Sequence, residues 1–169
     1  FEQKQQWVGP KEVIVDGNLI NGVSGKPALI QSTFGKKGNL EMLIPLDNEL
    51  KYCSINMEKP GPPPWADWEL VKWQPTVPKG KTVKGVALIQ SNYKDDGFHG
   101  RLEAIAWLED ILGEKPTGSL YYYYLNTDTL TWSNPEEILV YKKPITGITG
   151  NPAFIQSTFH SNLEFKKFC

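Results

Sequence analysis

Three tryptophans stand at comparable places along the chain: Trp7, Trp65 and Trp132. Each opens a run that continues into β-branched and apolar residues. An indole face suits the apolar face of a sugar ring, so such residues make carbohydrate platforms. The competing role is packing, each ring being a large apolar payload with one N–H to satisfy. Near them lie groups able to hold hydroxyls. Glu41 and Glu103 each follow a leucine, Arg101 stands two residues before Glu103, and Tyr122 lies within the run Tyr121-Tyr122-Tyr123-Tyr124. A carboxylate accepts a pair of sugar hydroxyls, or equally pairs with a lysine or caps a turn. The candidate carbohydrate contacts are therefore Trp7, Trp65, Trp132, Tyr122, Glu41, Glu103 and Arg101.

Catalytic constellations fare worse. Glycoside hydrolysis by the usual route needs two carboxylates in unequal environments, one acid and one base or nucleophile. Glu41, Glu103 and Glu164 instead recur once per repeat, and pseudo-equivalent groups suit structure or multivalent binding. Thr127-Asp128-Thr129-Leu130-Thr131-Trp132 only echoes a sialidase-type aspartate turn, with the aspartate displaced and the glycine missing. His99 and His160 are not in metal-ligand spacing with a cysteine. Asp95-Asp96-Gly97 reads as a hairpin turn, not a calcium loop. No phosphate cradle or nucleophile elbow occurs. The chain is expected to be non-enzymatic, with no cofactor and no metal.

What must position these residues is a stretch written three times: Ala28-Leu29-Ile30-Gln31-Ser32-Thr33-Phe34, Ala87-Leu88-Ile89-Gln90-Ser91-Asn92-Tyr93 and Ala153-Phe154-Ile155-Gln156-Ser157-Thr158-Phe159. From glutamine to glutamine the steps are 90 − 31 = 59 and 156 − 90 = 66 residues. Self-similarity at such a period marks a repeat architecture. Each copy reads as a buried strand. A second strand follows (Asn39 to Ile44, Arg101 to Trp107, Asn162 to Phe165), then an aromatic third (Leu50 to Ile55, Leu120 to Leu125). The fourth opens on tryptophan, from Trp65, from Trp132 and, alone at the start, from Trp7. Strands are predicted at about 27–33, 40–45, 50–56, 86–92, 101–107, 120–126, 136–141 and 152–158. Gln31, Gln90 and Gln156, set inside apolar runs, are expected to be buried or nearly so and to bond neighbouring backbone.

The bulk numbers agree with one all-β domain. The chain has 169 residues, with 15 Gly and 13 Pro punctuating it by turns. A net charge of −1 leaves no electrostatic footprint for nucleic acid. No apolar run is long enough for a membrane span. The two cysteines, Cys53 and Cys169, could pair with each other, but two well-separated cysteines do not make a disulfide framework.

The stretch Gly25 to Glu41 resembles a repeat of microbial propeller-type proteins, which alternate it with a form much like Val86 to Tyr93. Their aromatic third strands and Trp-x-Gly/Asn-Pro turns are matched by Trp7-Val8-Gly9-Pro10 and Trp132-Ser133-Asn134-Pro135. The resemblance implies an all-β, β-propeller-type fold of four-stranded repeats, about three blades in this chain, with a β-trefoil as the alternative. The domain would be single, over 1–169, with repeats at about 18–77, 78–143 and 144–169, the last completed by 1–17. It further implies a secreted, extracellular lectin-like protein with shallow sugar sites between blades and glycans or glycoconjugates as partners. A protein-interaction scaffold is the alternative, and a fragment of a propeller hydrolase the least favoured. Because closed propellers need about 4 to 8 blades, the chain is expected to form a homo-oligomer or belong to a longer propeller.

Overall fold

The computed structural model describes residues 12–58, 68–92, 100–112, 117–148 and 150–156. Among them there is no helix, and the strands form several sheets, none closed into a barrel. Two antiparallel meanders dominate. The first sheet runs β3 (Ala28–Gln31), β4 (Asn39–Leu46), β5 (Glu49–Asn56) and β6 (Glu69–Leu70), in that order. The second runs β7 (Lys81–Gln90), β8 (Leu102–Asp110), β9 (Gly118–Asn126) and β10 (Thr131–Trp132), with β11 (Glu136–Glu137) pairing farther along β9. Two small hairpins complete the set, β1–β2 (Ile14–Val15, Asn18–Leu19) and β12–β13 (Leu139–Val140, Lys143–Pro144).

The expected order of three long strands and a short fourth is seen in both sheets, but the strand expected at 136–141 is divided between β11, which pairs β9, and β12, which pairs β13 in a separate hairpin. The long strands lie where the apolar runs place them, but β7 begins at Lys81, five residues before its predicted start, across a register shift between Val83 and Gly85. The expected strand at 152–158 is not formed over 152–156, and 157–158 lie outside the described residues. The closed barrel that a trefoil needs is not present among the described residues.

Side chains alternate across a strand, so each sheet has two faces. Leu43 and Tyr52 of the first sheet join one core cluster with Val86, Leu88, Leu102, Ala104, Ala106 and Leu108 of the second. The opposite face of the first sheet, with Met42, Ile44, Cys53 and Ile55, packs with Val15, Trp68, Val13 and Ile20. Strand β4 is therefore buried on both sides, which is why it reads as a continuous apolar run rather than an alternation. Strand β8 alternates strictly, buried at Leu102, Ala104, Ala106 and Leu108 and half-buried between.

The sheets pack in series. Leu40, Met42 and Ile44 correspond in the repeat to Leu102, Ala104 and Ala106, yet the former set turns toward β1–β2 and the latter toward the first sheet. One sheet's first face meets the next sheet's second face. Equivalent positions also meet along the strand starts. Lys26 bridges Gly85 in parallel fashion, Gly25 lies against the carbonyl of Lys84, and Gly85 lies against the side chain of Asn151. Residues 25, 84 and 150 occupy the same place in the three repeats, as do 26, 85 and 151.

Candidate functional site

The repeated glutamines close their own hairpins. Gln31 Nε2 donates to the carbonyl of Lys37 at 3.3 Å, and Gln90 Nε2 to that of Gly100 at 2.7 Å. Gln90 Oε1 also accepts the Thr33 N–H at 2.7 Å, tying the second repeat to the first. These amides bond backbone, as expected for Gln31 and Gln90, but Gln31 is exposed rather than buried, because β3 is the edge strand of its sheet and alternates exposed and half-buried positions.

The repeated glutamates sit beside the first of the paired tyrosine positions. In the first repeat, Glu41 is 1% exposed; it accepts the Ser32 hydroxyl at 2.9 Å and the Tyr52 phenol at 2.8 Å. Burial pushes the Glu41 carboxyl above the usual carboxylate range, while the hydrogen bonds from Tyr52, Ser32 and Asn39 pull the other way. Burial, followed by the nearby Glu41 charge, raises the Tyr52 phenol strongly. Tyr52 in turn meets Trp132 of the second repeat edge to face, with ring centroids 5.3 Å apart. Glu41 is thus a closed internal network with its oxygens occupied, and Trp132 is half-buried at the junction between the sheets.

The second repeat opens the same arrangement. Ile105 pairs with Tyr122 as Leu43 pairs with Tyr52, so Glu103 and Tyr122 stand where Glu41 and Tyr52 do. Two substitutions change the chemistry. Arg101 replaces Asn39, and Tyr124 replaces Ser54. Arg101 donates from Nε to Glu103 at 3.1 Å and from Nη2 to the Tyr122 oxygen at 3.1 Å. Its guanidinium lies 4.3 Å from the Tyr124 ring centroid, and the Tyr122 and Tyr124 rings are 6.2 Å apart. Burial works against the charge of Arg101, but the hydrogen bond to Glu103 and the fields of Tyr122 and Glu103 hold its pKa above the usual value. Burial, then the bond and charge of Glu103, raises the Tyr122 phenol. All four side chains are half-buried.

This cluster occupies one end of the second sheet's outer face. Glu103 pairs with Tyr124 near the Gln90 end, whereas Trp107 pairs with Leu120 at the Gly85 end. The face is polar and aromatic at the first end and apolar at the second.

No known protein family, curated protein or solved structure matches the chain. Of the seven candidate contacts, Arg101, Glu103 and Tyr122 come together, Glu41 is held by Ser32 and Tyr52 within the first repeat, Trp132 packs on Tyr52 at the junction between the sheets, and Trp7 and Trp65 lie outside the described residues. Tyr124 was not singled out by sequence. The alternation of the tyrosine run was the available signal, since it puts Tyr124 on the same face as Tyr122. Groups of three or more metal-ligating side chains do not occur among the described residues. Cys53 is a free, fully buried thiol.

Proposed function

We propose that this chain is part of a β-propeller-type repeat array that binds carbohydrate without catalysis. The site would be the Arg101–Glu103–Tyr122–Tyr124 cluster. The observation that carries the reading is the departure of the second repeat from the first at this place. Where the first repeat keeps a sealed Glu41–Tyr52–Ser32 network, the second substitutes a guanidinium and a second phenol and leaves the set half-buried. A guanidinium, a carboxylate and two phenols offer donors and acceptors for paired hydroxyls beside aromatic faces. The serial packing of unlike sheet faces supports the propeller architecture, because such heterologous contacts propagate into rings or open arrays. Sugar sites of this kind are weak singly and gain avidity by repetition.

A glycan array, probed with the protein displayed multivalently, tests the reading. Arg101→Ala and Tyr124→Ala should each weaken the best ligand by about 1–2 kcal/mol, the scale of a lost aromatic or cationic contact. A blank array, or binding indifferent to both substitutions, would overturn it. A second reading, a scaffold without sugar affinity, is favoured by one observation: in the first repeat the corresponding groups serve packing alone. The same array separates the two.

A further inference from the structure

Strand β11 adds a charged group to the outer face of the second sheet. It pairs with β9 so that Glu136 stands directly across from Tyr122, and Glu137 across from Tyr121. Residues directly opposite in an antiparallel pair share a face, with Cβ atoms about 4.5–5.5 Å apart. Glu137 accordingly lies on the side of Tyr121, whose hydroxyl it accepts at 3.4 Å, the side that covers the first sheet. Glu136 lies on the outer side with Tyr122. Its carboxylate is exposed, and no ion pair takes it up among the described residues.

The charges around Tyr122 leave a net negative sign. Arg101 and Glu103 are paired at 3.1 Å and recessed, with side chains 18% and 13% exposed, so they cancel beneath the surface that a ligand meets. Toward the Trp107 end, Lys84 and Glu109 pair at 3.6 Å and cancel as well. Glu136 is the uncompensated charge of this face among the described residues. A carboxylate beside an aromatic ring seats a cation, because the face of the ring carries the negative end of its quadrupole. The Arg101 guanidinium already uses the Tyr124 ring in this way, 4.3 Å from its centroid. Glu136 and the Tyr122 ring offer the same pairing to a ligand, and set a like charge against any anionic sugar. We propose that the ligand of this site is a saccharide bearing a free, protonated amine, its ammonium held by Glu136 and Tyr122. The proposal rests on the reading of the cluster as a sugar site and adds the chemical class of the sugar.

The test compares glucosamine oligomers with their N-acetylated counterparts, which keep the hydroxyls and lose the charge. The full chain is displayed multivalently, in mildly acidic buffer that keeps the sugar amine protonated. The amine form should bind about three- to tenfold more tightly, the scale of an exposed ion pair together with a cation–π contact. Glu136→Gln should abolish that preference and leave binding of the acetylated form unchanged. Glu137→Gln, one residue along and on the opposite face, should keep the preference intact. Equal loss in the two variants would trace the preference to net charge alone and overturn the proposal. Acetylated oligomers bound as tightly as the amines, with both weakened by Arg101→Ala, would overturn it while leaving the sugar site in place. Binding of other glycans but of neither oligomer would do the same. A wholly blank array would remove the sugar site and the proposal together.

Discussion

Ser24 donates its hydroxyl to the carbonyl of Val83 at 3.1 Å, across a separation of 59 residues. That separation is the repeat step, so the bond joins a position to its own counterpart in the next repeat. The same oxygen of Ser24 accepts the Asp47 N–H at 2.6 Å, while the Asp47 carbonyl accepts from Val83 N at 2.7 Å and from the Thr82 hydroxyl at 2.9 Å. The turn between β4 and β5 is thereby fastened to the start of β7. Repetition in the sequence becomes stacking in space through these contacts, and the two core faces are aligned as a consequence.

Gly25 and Gly85 sit at successive levels of this stack and should respond differently to a methyl group. A Cβ on Gly25 would meet the backbone carbonyl of Lys84, which the sheet holds in place. A Cβ on Gly85 would meet the side-chain oxygen of Asn151, which can swing aside. Gly25→Ala should therefore lower stability by about 1–3 kcal/mol, the range for forced overpacking, and Gly85→Ala by much less. Chemical denaturation of both variants checks this. Equal losses would mean that Asn151 is as firmly held as the Lys84 backbone.

Much of the fold was legible because the repeats are written in apolar period and turn chemistry. Strands β4, β5, β8 and β9 fall close to where the runs end in Gly, Asn or Asp. The site was less legible. Glu41 and Glu103 look alike in sequence, and what separates them is a neighbour two residues upstream, Asn39 or Arg101, together with the second sheet, which packs over the face that carries Glu41. Period and spacing carry no information on that cover. Packing was among the roles open to Trp132, but its partner could not be read from period or spacing. Its partner Tyr52 lies 80 residues away, in a different repeat.

Trp132→Ala should act on stability first. The indole packs edge-on to Tyr52 against the main core cluster, and truncating a packed tryptophan costs about 3 kcal/mol or more. A double-mutant cycle with Tyr52→Ala should return a coupling of about 1 kcal/mol for the ring pair. Urea midpoints of the four proteins give the numbers. A loss under about 1 kcal/mol, below the usual range for such truncations, would show that the indole is dispensable to the junction.

Cys53 offers a reading at alkaline pH. Burial, and then the Asp16 carboxylate, push its thiol up to about 12. In the unfolded chain a cysteine ionises near about 8.5. A group raised on folding contributes stability that is present below the unfolded value and lost as pH rises toward the folded one. Stability should decline from about pH 8.5 upward, and Cys53→Ala should flatten that part of the decline. Thermal midpoints measured across pH 8 to 10 would decide, with equal slopes in both proteins counting against the buried thiol.

Glu41 makes the least usual prediction. Its carboxyl is raised by burial, with Tyr52, Ser32 and Asn39 only partly compensating. Most paired carboxylates are depressed on folding and stabilise the protein at neutral pH; this one runs the other way. Between the unfolded value of about 4.3 and the higher folded value, the native state holds the proton more firmly than the unfolded chain does. Stability contributed by this group is therefore largest below about pH 4.3 and falls as pH rises through the folded pKa. Glu41→Gln keeps the shape and can still accept from one hydroxyl while donating to the other. It should remove this share of the pH dependence and leave the protein at least as stable at pH 7. Glu41→Ala should instead strand the buried Tyr52 and Ser32 hydroxyls and cost about 1–3 kcal/mol for each left unpaired. Denaturant midpoints of the three proteins from pH 4 to 8 separate the cases. A Gln variant that is much weaker at pH 7, with an unchanged pH slope, would show that Glu41 is held as a stabilising carboxylate.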